Sequence, residues 1–409
     1  MPTQKTDRNT TWTIDASDKT WTLAEGARIK ATGHGINENG FSGSTIRVFG
    51  DIAVDGMGYG IYLNGSDSSV LVGADARIDA RQAVDGIYSA AAGAHIVNRG
   101  VVEGAAAAIK GAIWSDVENY GTLRGENGIE QQGEGSQIYN YGKIDASDYG
   151  IWSEANGTHV ENAREAAITG DLQAIFLDGM GTAEIVSRGI IRGGSTAIES
   201  ENSELTIRNT GKIVGDIHLG DGEDVYDGRK GKIDGDVIGG NGNDDYYVGA
   251  SRVKIVEAAG AGTGFDEVFA TASHRLAANV EILHLLGKKD TDGTGNGGQN
   301  YIYGNAGDNI LKGGGGSDHL HGNGGDDILV GGGGSDYFVF SGGGVDRIAD
   351  FEDMVDLVAI DGVLNQAAFD ALDIRQAKGD VVIRLGGGDR IIIEDTLLSD
   401  FDFNDISTN

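Results

Sequence analysis

The chain has 409 residues, of which 70 are glycine, one is proline and none is cysteine, with 31 basic against 63 acidic side chains and a formal net charge of −32. Collagen is excluded, because it needs glycine at every third position with abundant proline, and so is a disulfide scaffold. A phosphate backbone would be repelled by so acidic a chain, so no nucleic-acid partner is expected, and no apolar run approaches the roughly 18 residues that cross a membrane.

Met1 to Thr11 is polar and lacks the apolar stretch of a cleavable signal peptide, so none is expected there. From Ile14 onward a three-beat apolar pattern recurs. The first beat runs from Ile14 through Ile36 and Ile61 to Ile217, the second from Leu23 through Ile46 and Val70 to Val225, and the third from Ile29 through Ile52 and Ile78 to Ile233. Ile14 to Ile217 is 203 residues over nine steps, about 22.6 per step, a period that is not helical. Three short β-branched stretches per repeat, parted by Gly, Asn or Asp turns, predict one coil of a parallel β-helix. Each Ile or Val then packs on its equivalent one coil away, at the roughly 4.8 Å strand spacing. A local motif, aliphatic-x-Asn-x-Gly-x-aliphatic, recurs at Asn98, Asn119, Asn140 and Asn209, with Ser187 in the Asn place of one coil. Stacked Asn side chains can form an amide ladder, and the following Gly permits a positive φ, although turn formation alone explains these residues equally well.

Two glycine-rich turns follow: Gly220-Asp-Gly-Glu-Asp224 and Gly239-Gly-Asn-Gly-Asn-Asp244. Their Asp residues are 20 apart, about one coil, so Asp224 and Asp244 are candidate metal ligands at the exit of the β-helix. From Gly295 the chain runs in strict nines, with units beginning at Gly295, Gly304, Gly313, Gly322 and Gly331. Three read Gly313-Gly-Gly-Gly-Ser-Asp318-His-Leu320-His, Gly322-Asn-Gly-Gly-Asp-Asp327-Ile-Leu329-Val and Gly331-Gly-Gly-Gly-Ser-Asp336-Tyr-Phe338-Val. Six residues per unit form a turn and three a short strand, so each unit is half a coil and alternate units stack. That pairs Asp318 with Asp336 and Asn309 with Asp327 one strand spacing apart. Two such oxygens plus inward carbonyls of Gly313, Gly315, Gly322, Gly324, Gly331 and Gly333 supply the six or more hard oxygen ligands that calcium prefers. Asn300 and Asn309 hold the sixth position of the first two units, where sites are expected to be weak or absent. Phased Leu311, Leu320, Leu329 and Phe338 argue against a flexible Gly-Asp linker.

These nonapeptides resemble the RTX, or haemolysin-type, calcium-binding repeats. The resemblance covers roughly residues 220 to 409. It implies calcium as the bound ion, a spacer between repeat blocks at Tyr246 to Leu286, and strands that close the roll around Phe338-Val-Phe340, Asp346-Arg-Ile-Ala-Asp350-Phe351 and Asp389-Arg-Ile-Ile-Ile393. It makes Asp346 a further candidate ligand. It also implies export by a type I system through an uncleaved C-terminal signal, and so an extracellular location. The expected chain is all-β: a right-handed parallel β-helix at 1–235, a transition at 236–294 with one RTX-like turn, a calcium β-roll at 295–346, and a capping segment with the secretion signal at 347–409.

Two functions compete. The first is a secreted calcium-binding structural protein, a cell-surface or matrix component or adhesin, with a polysaccharide, a cell surface or copies of itself as partner. The second is a carbohydrate-active β-helix enzyme, a polysaccharide lyase or one like the mannuronan epimerases. Such an enzyme needs an acid and a base close together. His95 and His159 lie three coils apart, His34, Tyr59 and Lys110 form no recognisable constellation, and Tyr120, Tyr139 and Tyr141 read as edge stacking along the helix. His319 and His321 have no zinc spacing. The non-enzyme reading is favoured, with no catalytic residue assigned.

Overall fold

The computed structural model describes residues 1–249, 253–260, 264–341 and 343–407, and in it the aliphatic beats are short parallel strands. Packing divides the chain into two units, Met1–Gly240 and Asn241–Asn409.

The first unit is built only of strands. Its third-beat column runs in register from Ile29 to Ile52, Ile78, Val102, Leu123, Ile144, Ile168, Ile191 and Ile213. The first-beat column runs likewise from Ile36 to Ile217, and the second from Ile46 to Ile207, all fully buried. Adding a coil therefore buries three large aliphatic side chains, each worth about 1.5–3 kcal/mol. This is the parallel β-solenoid that the period predicts.

The ends depart from the simple repeat. Trp12, not Ile14, is in register with Ile36, and Trp21, not Leu23, with Ile46. Ile14 and Leu23 sit two residues further on, on the same inward face, so pleat alternation buries both. The two indoles meet edge to face at 6.0 Å. At the other end Tyr226, not Val225, lies beneath Ile207, because buried Asp224 accepts the Leu205 N–H and alternation turns Val225 outward. Ile233 keeps register with Ile213 but is half-buried.

The Asn motif forms a ladder. The Asn98 amide donates to Asn119 Oδ1 at 2.8 Å, Asn119 to Asn140 at 2.8 Å, and Asn140 to Asn162 at 2.9 Å. Each Oδ1 also accepts the N–H two residues on, from Gly100, Gly121 and Gly142. These glycines do not take a positive φ, contrary to the sequence expectation. They are required by close approach: a Cβ on Gly121 would collide with the Gly100 carbonyl one coil away.

In the second unit one strand column passes from Asp245–Val248 through Glu267–Ala270, Ile282–Leu285, Tyr301–Tyr303, His319–His321 and Tyr337–Phe340 to Leu357–Ile360. A second passes from Gly293–Thr294 through Ile310–Gly315 and Ile328–Gly333 to Val345–Ile348. An antiparallel ribbon of Asp373–Ala377, Asp380–Gly386 and Asp389–Ile393 joins that sheet, Asp389–Ile393 pairing parallel with Val345–Ile348. Among the described residues the one α-helix is Gln366–Asp370, and no helix is long and apolar enough to cross a membrane.

Candidate calcium site

The nine-residue period places the large apolar residues alternately on two faces. Ile302, Leu320 and Phe338 stack on one, and Leu311, Leu329 and Ile348 on the other, all fully buried. Eighteen residues thus make one coil, and the sixth positions of alternate units come into line. In the first line the Asn300 N–H donates to Asp318 Oδ1 at 2.8 Å, the Asp318 N–H to Asp336 Oδ1 at 2.9 Å, and the Asp336 N–H to Asp356 Oδ1 at 2.9 Å. In the second the Asn309 N–H donates to Asp327 Oδ1 at 2.8 Å and the Asp327 N–H to Asp346 Oδ1 at 3.0 Å.

One oxygen of each carboxylate therefore ties coils together, and Asp356 spends its other on the Glu352 N–H at 2.9 Å. Oδ2 of Asp318 and of Asp327 is buried and makes no hydrogen bond. Each lies against the first glycine of its own unit: a Cβ on Gly313 would collide with Asp318 Oδ2, on Gly322 with Asp327 Oδ2, and on Gly331 with Asp336 Oδ2. The Gly331 carbonyl stands in the same space beside Gly313. A buried, unpartnered carboxylate oxygen is costly, and a hard cation is the partner its chemistry suits. The residues fit calcium.

Electrostatics agree. Burial pushes the Asp318 and Asp327 carboxyls up to about 7 and that of Asp346 up to about 6, and neighbouring carboxylates add to this. Asp336 and Asp356 are raised by burial too. Stacked acids that resist ionisation without a counter-ion are a site that a divalent cation stabilises.

The other candidates divide. Gly314, Gly316, Gly325, Gly332 and Gly334 carry the positive φ values that bend the turns. Nothing lies near a Cβ built on Gly324 or Gly333, so the third position of the unit has no steric demand for glycine. Asn300 and Asn309 are buried but internally satisfied: their Oδ1 atoms accept from the Asn296 and Asn305 N–H groups, and their amides donate to the Val280 and Thr291 carbonyls. Asp224 belongs to the first unit. In the second, Asp244 comes within 4.8 Å of Glu257 and Asp266, measured between possible ligand atoms, and all three are buried. Burial first, then the neighbouring acids, push Asp266 up to about 8.

Glu257, Asp266 and Asp356 escape a reading based on the glycine consensus. Asp244, Asp266 and Glu281 hand the same hydrogen bond up the column: the Asp244 N–H donates to Asp266 Oδ1 at 3.0 Å and the Asp266 N–H to Glu281 Oε2 at 3.0 Å. The signal that finds Asp266 and Asp356, though not Glu257, is an acid two residues before a buried aliphatic, as in Asp266-Glu-Val268, Glu281-Ile-Leu283 and Asp356-Leu-Val358.

In the first unit His95 lies 3.6 Å from Glu118, and His159 lies 3.1 Å from Glu184, each an ordinary pair with a neighbouring coil.

The RTX calcium-binding nonapeptide repeat profile matches residues 294–320, 303–338 and 312–348. No curated protein matches the chain. Among solved structures, the extracellular lipase LipA from Serratia marcescens is 15% identical with a TM-score of 0.21, over 61% of this chain and 40% of that one. This chain spans less than half the length of that protein. The profile and the stacked carboxylates coincide, and residues 294–348 of this protein are RTX calcium-binding nonapeptide repeats.

Proposed function

We propose that this is a secreted calcium-binding structural protein, a cell-surface or matrix component or adhesin, whose roll folds on meeting calcium outside the cell. The observation that carries the reading is the pair of buried, unpartnered oxygens on Asp318 and Asp327, each beside a glycine whose missing side chain makes room for that oxygen. Asp318, Asp327, Asp336 and Asp346 are the side-chain ligands in this reading, with turn carbonyls completing each shell, and Asp244 holds a further ion with Glu257 and Asp266. Asn300 and Asn309 close the stack through their amides. Residues 215 to 361 hold 26 acids and 10 bases, 16 of the 32 excess negative charges, so the calcium-free segment repels itself. Deferred folding suits passage through an export channel, and residues 347–409 are assigned the secretion signal. Co-expression with a type I exporter tests this: the full chain should reach the medium, and a chain lacking 347–409 should stay inside. Retention of the full chain in the presence of the exporter contradicts the reading.

A further inference from the structure

The outward face of the first-beat strands carries a pattern that the aliphatic repeat conceals. Tyr62, Tyr88, Lys110, Glu130, Trp152 and Phe176 each follow a first-beat Ile and stand in strict register over six coils. Three residues before each lies a second outward position, because the residue between it and the Ile is glycine or alanine. A Cβ on Gly60, for example, would strike the Gly86 carbonyl, so that position turns inward.

Rings gather at both ends of this strip. Tyr59 stacks on His34 at 5.2 Å and meets Tyr88 at 4.8 Å, while Tyr149 meets Trp152 and Phe176 at 5.6 Å each. All are half-buried. Between the ring clusters lies a polar stretch. Lys110 is ion-paired with Glu130, the Asn127 amide reaches Glu130 at 3.5 Å, and Asp85 accepts the Ala107 N–H at 2.9 Å. Asp85, Asn127 and Glu130 are all buried by their neighbours. Burial pushes the Asp85 carboxyl up to about 6. Buried acids on the outer face of a solenoid add nothing to its aliphatic core, and such groups cluster at functional sites. The third-beat face also buries an acid, Glu103, but there three arginines, Arg77, Arg81 and Arg124, neutralise it, and no aromatic ring joins that lattice.

We infer that the strip from Tyr62 to Phe176 binds a neutral hexose polysaccharide. A pyranose offers apolar C–H faces to rings and a rim of hydroxyls to carboxylates, amides and ammonium groups, which is the alternation the strip presents. The coil step of about 4.8 Å is close to the length of one hexose in an extended chain, so successive sugars meet successive coils. A uronate chain is disfavoured, since the one cation of the strip is held by Glu130 and the protein carries −32 overall. The inference deepens the surface-component reading by naming its partner, and rests on that reading for the protein's meeting a polysaccharide outside the cell; the strip itself lies in the first unit, and the calcium repeats in the second.

Calorimetry on the full chain in millimolar calcium tests it, with cellohexaose, laminarihexaose, mannohexaose and hexagalacturonate as probes. Saturable binding of at least one neutral hexasaccharide is expected, weakened at least about tenfold by Tyr88→Ala and by Trp152→Ala, as for loss of a well-packed ring contact. Tyr120→Ala, on another face, should leave it unchanged. Lys110→Gln, which removes no ring, should also weaken binding and covers the case in which a ring variant fails to fold. No binding of any neutral probe, binding of hexagalacturonate alone, or equal loss in Tyr120→Ala overturns the inference. So does self-association abolished by the same variants with no sugar bound. Calcium uptake by the roll is read separately in the same instrument, so loss of the glycan site and loss of calcium binding are distinguishable.

Discussion

Asp318 and Asp336 stand one coil apart with the Asp318 N–H donating to Asp336 Oδ1 at 2.9 Å, while Asp318 keeps its own Oδ2 buried and unpartnered. One carboxylate oxygen thus holds the stack together and the other is left for an ion. Asp318 Oδ1 accepts the Asn300 N–H at 2.8 Å, so in the proposed ligand set this one side chain couples backbone register to metal binding.

Replacing one such group separates the two duties. Asp327→Asn keeps an acceptor for the Asn309 N–H but puts an amide donor where Oδ2 lies. Calorimetry should give one calcium fewer per chain, and the roll should melt earlier at fixed calcium. Loss of an ion held at 100 times its dissociation constant costs about 2.7 kcal/mol. An unchanged stoichiometry contradicts the assignment.

Gly313→Ala tests the cradle without touching an acid. Its methyl group would occupy the place of Asp318 Oδ2. Calcium affinity should fall to a similar degree as in Asp318→Asn, with every carboxylate still present. Calcium titration monitored by circular dichroism would read this, and wild-type affinity in Gly313→Ala would contradict the geometry.

The Asn ladder is a separate source of stability. Asn119→Ala removes the donor to Asn140 and the acceptor for Asn98, and leaves buried partners on both sides unsatisfied. The first unit should lose about 1–3 kcal/mol per orphaned group, in chelator and in calcium alike. Chemical denaturation in both conditions checks it, and a calcium-dependent loss would place the ladder wrongly.

Asp85 should make the first unit pH-sensitive. Its folded-state pKa of about 6 lies above its ordinary value of 3.8, so its contribution is full below about pH 4 and lost as pH rises through 6. Asp85→Asn should therefore stabilise the unit at pH 8 by up to about 3 kcal/mol relative to wild type and do little at pH 4. Stability that favoured the variant equally at both values would contradict the account. An acid retained at such a cost fits a binding face better than a core.

The sequence made the solenoid legible because burial repeats: Ile78, Val102 and Leu123 meet the same constraint coil after coil, so the period survives substitution. It failed at the ends, where Trp12 and Trp21 replace an aliphatic and alternation, rather than period, decides what points inward. The repeat calcium turns were legible because the first glycine of each unit is sterically required and, from Gly313 on, the second or fourth takes a positive φ. The flanking members of the column were not, since Asp266, Glu281 and Asp356 reach it from turns without that consensus and only the acid-x-aliphatic remnant marks them. The aromatic strip stayed hidden for a simpler reason. Tyr88, Lys110 and Trp152 are more than 20 residues apart in sequence and become neighbours only once coil register is known.

The central claim is that calcium, and not the aliphatic core, decides whether the roll is folded. Three half-coils of glycine-rich turn bury little apolar surface against a high backbone entropy cost, and their buried acids repel one another without an ion. Hydrogen exchange with and without chelator measures this residue by residue. The account predicts that the Gly313–Val339 amides are protected in calcium and exchange freely in chelator, while those of the Asn98–Asn162 coils stay protected in both. Equal protection of Gly313–Val339 in the two conditions would contradict it.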